Sequence, residues 1–149
     1  MKEEGEIGEV LSKYRTVAVV GLSKDASKDS HQVAEYLKNK GYRIIPINPN
    51  AEEILGEKSY PSLASLPENI AKQVEIVDIF RPSEAVPPVV EEAIHLRTKY
   101  GKPCVIWMQL GISNEAAAQS AREAGMTVIQ NRCMMIERRD REKMTDFRL

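Results

Sequence analysis

Five short apolar runs stand out in the hydrophobic pattern of this chain, separated by longer stretches that mix apolar and charged residues. Continuous runs rich in valine and isoleucine predict strands that are buried on both faces, because a strand covered on one face alternates apolar and polar residues. The predicted strands cover residues 17–20, 42–47, 74–80, 102–108 and 126–130.

The stretches around these strands have the spacing of amphipathic helices. Ile7, Val10 and Leu11 share one face of a helix that opens the chain. Three later helices are predicted over residues 30–40, about 88–100 and 114–124. Ser30 and Ser113 are the expected N-caps of the first and last of these. A glycine follows each helix, where a left-handed residue is favoured: Gly41, Gly101 and Gly125.

The alternation of strands and helices predicts an α/β fold, with a doubly wound, Rossmann-like five-stranded parallel sheet and helices on both faces. One domain is expected over residues 1–149, with a core of about 16–137 and a charged tail over 138–149. Residues 51–71 are interrupted by glycine and proline, so we expect a turn-rich connection with a brief helix. The tail mixes acids and bases and is expected to be a solvated helix or a frayed end.

Charge and composition limit the classes of partner. The formal net charge is -1, so no overall field attracts nucleic acid or an anionic membrane. No apolar run approaches the ~20 residues of a membrane span, and the acidic start is unlike a secretory signal. We therefore expect a cytoplasmic protein with a small-molecule ligand. Assembly into a homo-oligomer, or with a protein partner, stays open.

Cysteine and histidine are too sparse for a metal site. Cys104, Cys133, His31 and His95 have no metal-ligand spacing, and we expect no bound metal. Neither histidine has a nucleophile and a carboxylate in an order that indicates a catalytic triad. No catalytic residue is predicted.

Residues 16–30 predict an anion site, because a β-branched strand, Gly21, a polar loop and a helix start follow one another. Free amide N–H groups and the positive end of the helix dipole converge at such a turn. In a parallel sheet the ligand lies outside the carboxyl ends of the strands. The segments that follow strands are 21–24, 48–49, 80–82, 109–111 and 131–133.

The loop after the first strand departs from the dinucleotide fingerprint G-x-G-x-x-G. Only Gly21 of the three glycines is present, and the second strand ends in Asn48 and Pro49 rather than in an acid that holds ribose hydroxyls. A neutral group suits a ribose that carries its own phosphate better than a carboxylate does. The Walker pattern G-x-x-x-x-G-K-[ST] is also absent from the sequence.

Five motifs at these strand ends carry a family resemblance. They are VVGLS at 19–23, NP at 48–49 within IIPINPN, the glycine in EILGEKSYPSL, FRPSEAV at 80–86 and VIWMQLGI at 105–112. With them, the chain resembles the small CoA-binding proteins of bacteria and archaea over about residues 16–137. These proteins are similar to the CoA-binding domain of the succinyl-CoA synthetase α subunit and of acyl-CoA synthetases that form nucleoside diphosphates.

The resemblance implies coenzyme A as the ligand and implies a role for each strand end. Residues expected at the CoA phosphates are Gly21, Ser23 and Lys24. Residues expected beside the adenosine are Asn48 and Pro49. Residues expected to flank the nucleotide are Phe80, Arg81 and Pro82. Residues expected along the pantetheine arm are Gln109 and Gly111.

Two of the strand-end side chains have alternative interpretations. Arg81 either binds a phosphate or pairs with Glu84 on the surface. Cys133 is either a buried thiol or a group that approaches the CoA sulfur and forms a mixed disulfide. The function favoured by the sequence is a non-catalytic CoA-binding module. The alternatives are an NAD(P)-dependent oxidoreductase and a subunit of a nucleoside-diphosphate-forming acyl-CoA ligase.

Overall fold

The computed structural model describes the backbone of residues 2–148 and the side chains of residues 3–143. The main sheet contains β1 (Thr16–Val20), β2 (Arg43–Ile47), β5 (Ile76–Ile79), β6 (Val105–Met108) and β7 (Thr127–Ile129). Its order is β2-β1-β5-β6-β7, and every neighbouring pair is parallel. Two short strands, β3 (Glu53–Ile54) and β4 (Glu57–Lys58), form an antiparallel hairpin beside this sheet.

Helices cover both faces of the sheet. Their bounds are α1 (Lys2–Lys13), α2 (Asp29–Asn39), α3 (Glu68–Ala71), α4 (Val86–Tyr100), α5 (Glu115–Glu123) and α6 (Met134–Arg148). One core cluster joins the sheet to α1, α2 and α6, and the other joins it to α3, α4 and α5. The predicted doubly wound α/β fold is therefore confirmed. None of the described helices is long and apolar enough to cross a membrane.

Each central strand supplies residues to both cores, which explains the continuous apolar runs. In β1, Val17 and Val19 belong to the cluster with α1, α2 and α6, while Ala18 and Val20 belong to the other cluster. The predicted apolar face of α1, formed by Ile7, Val10 and Leu11, is buried. Trp107 is also fully buried, and its Nε1 donates to the Arg132 carbonyl at 2.8 Å.

The sheet has one topological switch point, between β1 and β5. The chain passes from β1 outward to β2, and then crosses back to β5 on the other side of β1. Gly21 follows β1 with φ +86°, and a Cβ atom at this position would lie 2.1 Å from the Phe80 carbonyl oxygen. The two strand ends thus approach so closely that only glycine fits between them.

Both predicted serine caps are wrong. The N-cap of α2 is Lys28, and Ser30 is buried in the first turn, where its hydroxyl accepts from the Ser23 N–H at 3.0 Å. The N-cap of α5 is Asn114, whose side chain accepts from the Ala117 N–H at 2.9 Å. Neighbouring polar residues have similar capping preferences, so the sequence alone does not separate them.

Some element boundaries also differ from the prediction. The helix expected to begin near residue 88 begins at Val86, and the strand expected from residue 102 begins at Val105. Residues 51–71 contain the expected brief helix, α3, but also the unpredicted β3–β4 hairpin. Strands of two residues are too short to produce a hydrophobic period.

The charged tail continues helix α6, so the predicted helix is confirmed, and its described side chains, at residues 138–143, range from half-buried to exposed. Helix α6 begins before the tail, with Met134 fully buried, and it contacts both α1 and α2. Arg141 pairs with Glu4 at 2.7 Å and with Glu137 at 2.9 Å. The Glu4 contact attaches the helix to α1, whereas the Glu137 contact lies within α6 itself. Leu149, the last residue of the predicted tail, lies outside the described residues.

Candidate functional site

The predicted site residues lie at one edge of the sheet, because each follows the carboxyl end of a parallel strand. They follow β1, β2, β5 and β6: Gly21, Ser23, Lys24, Asn48, Pro49, Phe80, Arg81, Pro82, Gln109 and Gly111. The switch point between β1 and β5 is at the centre of this edge. This is the position where open α/β sheets bind ligands.

Internal hydrogen bonds shape the loop between β1 and α2. The Ser23 hydroxyl accepts from the Asp25 N–H at 3.0 Å, so the hydroxyl proton is still available to a ligand. The Asp25 carboxylate accepts from the Ser27 N–H and hydroxyl at 2.9 and 2.8 Å. These two bonds lower the pKa of Asp25. His31 also supports the loop, with Nδ1 2.9 Å from the Ser23 carbonyl oxygen.

The start of α2 leaves backbone donors exposed to the site. Lys28 provides no side-chain cap, and the Asp29 and Ser30 N–H groups donate to no other described residue. Unpaired amides at the positive end of a helix dipole favour a phosphate. The Asp29 carboxylate in the same turn would repel a phosphate. Cationic side chains are therefore needed to offset this repulsion.

Two such cations are available. Lys24 is exposed and Arg81 is half-buried, and neither forms an ion pair with a side chain that the structure describes. The pair between Arg81 and Glu84 that the sequence suggested does not form. Both cations can therefore reach an anionic ligand without breaking an ion pair to a described side chain.

Asn48 connects the ends of β1 and β2. Its Nδ2 donates to the Leu22 carbonyl at 2.9 Å, and its Oδ1 accepts from the Asn50 N–H at 2.7 Å. The side chain thus holds the loop after β1 in place, and its expected contact with adenosine stays a prediction. Pro49 is exposed beside it.

A cavity of about 240 Å³ opens between α2, the ends of β5 and β6, and the start of α6. Phe80 and Gln109, both predicted site residues, form part of its wall. The other lining residues are Asp29, Gln32, Val33, Leu110, Cys133, Met135 and Ile136. Gly111 is not among them; it has φ +84°, and its N–H donates to Asn131 Oδ1 at 2.6 Å. The structure thus gives Gly111 a turn-forming role.

Asp78 is a buried carboxyl group that the sequence analysis missed. It is 0% exposed in β5, and its Oδ1 accepts from Gln109 Nε2 at 2.6 Å. Its Oδ2 has no partner among the described residues. Burial raises the pKa of Asp78 to about 7, although the Gln109 hydrogen bond lowers it. The available signal was an acid within the apolar run EIVDIF.

Cys133 follows β7 and lies one residue before α6. It is therefore at the same end of the sheet as the candidate site, as the sequence predicted. It is half-buried and lines the cavity. Burial raises the pKa of the Cys133 thiol above its usual value, and the N–H groups of Ile136 and Met135 lower it. The charge of Asp78 raises the pKa further.

A second cavity, of about 460 Å³, lies against β7, the outer strand of the sheet. It is larger, but it is distant from the switch point, and no predicted site residue lines it. Its wall includes Glu3, Glu6, Arg122, Thr127 and Gln130. The described part of the chain contains no group of three or more residues able to hold a metal ion. The strand-end edge is therefore the candidate site.

Residues 15–139 match the model of the family described as CoA binding domain. A curated relative, the uncharacterized protein YneT of Bacillus subtilis, is 38% identical over 133 residues, which is 89% of this chain and 92% of YneT. A solved structure, a hypothetical protein from Pyrococcus horikoshii, is 37% identical with a TM-score of 0.81 and covers 92% of this chain and 90% of that chain.

A longer relative is the ADP-forming acetate–CoA ligase II of Archaeoglobus fulgidus. It is 36% identical over 80 residues, which is 52% of this chain but only 11% of the ligase. The similarity thus concerns a small part of that enzyme. Together with the family match, it confirms the resemblance that the strand-end motifs indicated.

Proposed function

Because this chain belongs to the family of CoA binding domains, we propose that it binds coenzyme A along the carboxyl edge of its parallel sheet, as a binding module without catalytic turnover. The observation that carries this proposal is the switch-point corner. There the Asp29 and Ser30 amides have no described acceptor, and Lys24 and Arg81, which follow β1 and β5, form no ion pair with a described side chain. This corner suits the phosphates of CoA.

The rest of the ligand follows from the order of the strands. Asn48 and Pro49 lie on the β2 side of the corner, where we place the adenosine. Phe80, Arg81 and Pro82 flank the nucleotide from the end of β5. Gln109 lies on the β6 side, where we place the pantetheine arm, with Gly111 in the turn beyond it. In this orientation the thiol end of CoA is near the 240 Å³ cavity.

Calorimetric titration with CoA, dephospho-CoA and NAD tests the proposal. We expect CoA to bind, dephospho-CoA to bind more weakly because it lacks the 3′-phosphate, and NAD not to bind. Lys24→Ala and Arg81→Ala should each raise the dissociation constant about tenfold, since a charge-assisted hydrogen bond contributes ~1.5–3 kcal/mol. Lys72→Ala, an exposed lysine that precedes β5 at the opposite edge, is the matched control.

Binding of NAD without binding of CoA would reject the proposal and support the oxidoreductase alternative. If CoA binds but both Lys24→Ala and Arg81→Ala keep the wild-type affinity, the assigned phosphate corner is wrong although the ligand is right.

The second candidate function is a subunit of a nucleoside-diphosphate-forming acyl-CoA ligase. It is favoured by the similarity of 80 residues to an ADP-forming acetate–CoA ligase. Co-purification of the natively expressed protein with another chain, followed by an assay of CoA release from acetyl-CoA that depends on both ADP and phosphate, tests it. If the preparation contains no partner and shows no such activity, the ligase-subunit function is rejected and the binding module remains the proposed function. The cytoplasmic location and the oligomeric state remain predictions.

A further inference from the structure

We propose that Cys133 captures coenzyme A covalently, by thiol–disulfide exchange within the cavity that it lines. This inference rests on the proposed function, because it takes CoA as the ligand, and it adds a covalent step that binding alone does not include. The product is a mixed disulfide between the Cys133 sulfur and the CoA sulfur. The reaction is stoichiometric and needs no catalytic turnover.

The cavity connects the phosphate corner to Cys133. Asp29 belongs to the first turn of α2, where the phosphates are placed, and it also forms part of the cavity wall. Cys133 and Met135 line the same cavity from the start of α6. A ligand held at the corner by its phosphates therefore extends into a space whose wall includes the thiol.

The composition of the wall suits the thiol end of the ligand. Val33, Phe80, Leu110, Met135 and Ile136 provide apolar surface, which fits a short thioalkyl chain better than a charged group. Leu110 is 65% exposed, although it is a large apolar residue, and it stands at this wall. Binding of the arm would cover that side chain.

An independent observation, the unpartnered Asp78 carboxyl, points to a ligand group at the same place. Asp78 is fully buried, and Gln109, which holds its Oδ1 at 2.6 Å, is itself part of the cavity wall. Phe80, two positions further along the chain and thus on the same face, is another part of that wall. Asp78 is thus bonded to one residue of the wall that Cys133 shares, and its Oδ2 is a buried polar atom with no partner among the described residues, which a donor on the ligand, such as a thiol S–H, would satisfy.

The pKa of Cys133 is raised, chiefly by burial and also by the charge of Asp78, so the thiol is protonated at rest. The start of α6 offsets part of this effect, because the N–H groups of Ile136 and Met135 and the charge of Arg139 lower the pKa. These groups favour the thiolate, which is the form that exchange requires.

The exchange balances with CoA disulfide as the oxidant. The Cys133 thiolate attacks one sulfur of CoA disulfide, the bond between the two CoA sulfurs breaks, and a bond forms between Cys133 and one CoA. The other CoA leaves as a thiolate and takes up a proton, equal to the one that Cys133 released. Cys133 is oxidised and the departing CoA is reduced.

Intact-mass spectrometry after incubation with CoA disulfide is the test. We expect the wild type to gain the mass of one CoA moiety and to lose it on treatment with dithiothreitol. Cys133→Ser should form no adduct. Cys104→Ser is the matched control and should react like the wild type, because Cys104 is equally half-buried but precedes β6 at the opposite edge.

The reaction rate separates a built subsite from an accessible thiol. Binding should make exchange with CoA disulfide about a hundredfold faster than exchange with bis(2-hydroxyethyl) disulfide, since a bound disulfide has a high effective concentration at Cys133. Equal rates for the two disulfides, an adduct on Cys104, or no adduct would each overturn the inference.

Titration of Cys133→Ser with reduced CoA distinguishes this inference from the proposed function. If that variant and the wild type bind reduced CoA equally while the wild type forms no adduct, the binding function stands and covalent capture is wrong. If neither protein binds reduced CoA, the proposed function fails and the inference fails with it.

Discussion

Asp78 places a titratable group at the centre of the main sheet, between Val19 of β1 and Trp107 of β6. Its pKa is raised from 3.8 to about 7 by burial. Between about pH 4 and pH 7 the unfolded chain therefore loses the Asp78 proton while the folded chain keeps it. The contribution of Asp78 to stability is complete below about pH 4 and is lost as the pH rises through about 7.

We predict that Asp78→Asn removes this part of the pH dependence. Between about pH 4 and pH 8, the free energy of unfolding of the wild type should fall by on the order of 4 kcal/mol relative to that of the variant. This figure follows from the difference between the ordinary Asp78 pKa of 3.8 and the folded-state pKa of about 7. Urea unfolding across this pH range measures it. Asp140→Asn, on the exposed side of α6, is the control. Parallel pH profiles for wild type and Asp78→Asn would contradict the assignment.

Gly21 is required by the fold and is also a predicted site residue. We predict that Gly21→Ala destabilises the protein by about 3 kcal/mol, because a Cβ atom would overlap the Phe80 carbonyl and the backbone has φ +86°. Gly111→Ala has the same left-handed strain, with φ +84°, but no atom near its Cβ, so about 1–2 kcal/mol is expected. Urea unfolding of both variants compares them, and equal losses would show that the close approach is unimportant.

At the scale of elements, the first turn of α2 positions the loop that precedes it. The buried Ser30 hydroxyl accepts from the Ser23 N–H, so a residue inside the helix orients the residue expected at the phosphate. The same helix contributes the unpaired amides and one wall of the cavity. The start of α2 therefore belongs both to the corner where we place the phosphates and to the cavity.

We predict that Ser30→Ala destabilises the protein by ~1–3 kcal/mol, because the Ser23 N–H loses its acceptor in a partly buried position. CoA affinity should fall as well, since the loop is no longer held. Ser120→Ala, an exposed serine on α5, should change stability by less than ~0.5 kcal/mol. Thermal unfolding and calorimetry measure both effects. Wild-type stability in Ser30→Ala would show that the hydrogen bond is dispensable.

At the scale of the whole molecule, the order of the strands determines where the candidate site lies. The five parallel strands direct their carboxyl ends to one edge, and the crossover from β2 to β5 places two loops side by side at the switch point. Helices on both faces bury the strands, and this burial is the reason that Asp78 and Gln109 are out of contact with water. The formal net charge of -1 provides no overall attraction for an anion, so the proposed anion binding depends on local groups at this edge.

The sequence determined the elements that depend on local patterns. Continuous apolar runs identified all five strands of the sheet, and their alternation with helices predicted the doubly wound fold. Strand-end motifs also predicted a CoA-binding family. Such features follow from residue spacing and backbone preference, which act over a few neighbouring residues.

Only the tertiary structure decided which side chains meet. The bond between Asp78 and Gln109 joins residues 31 positions apart, and Cys133 reaches the same wall from a third segment. Ser30, which was expected to be a cap, and Asn48, whose expected contact with adenosine stays a prediction, both make hydrogen bonds that hold the loop after β1. Burial, partners and pKa depend on long-range packing, so no local pattern in one sequence contains them. The orphaned Asp78 oxygen, which points to a ligand group, is therefore visible only in the folded chain.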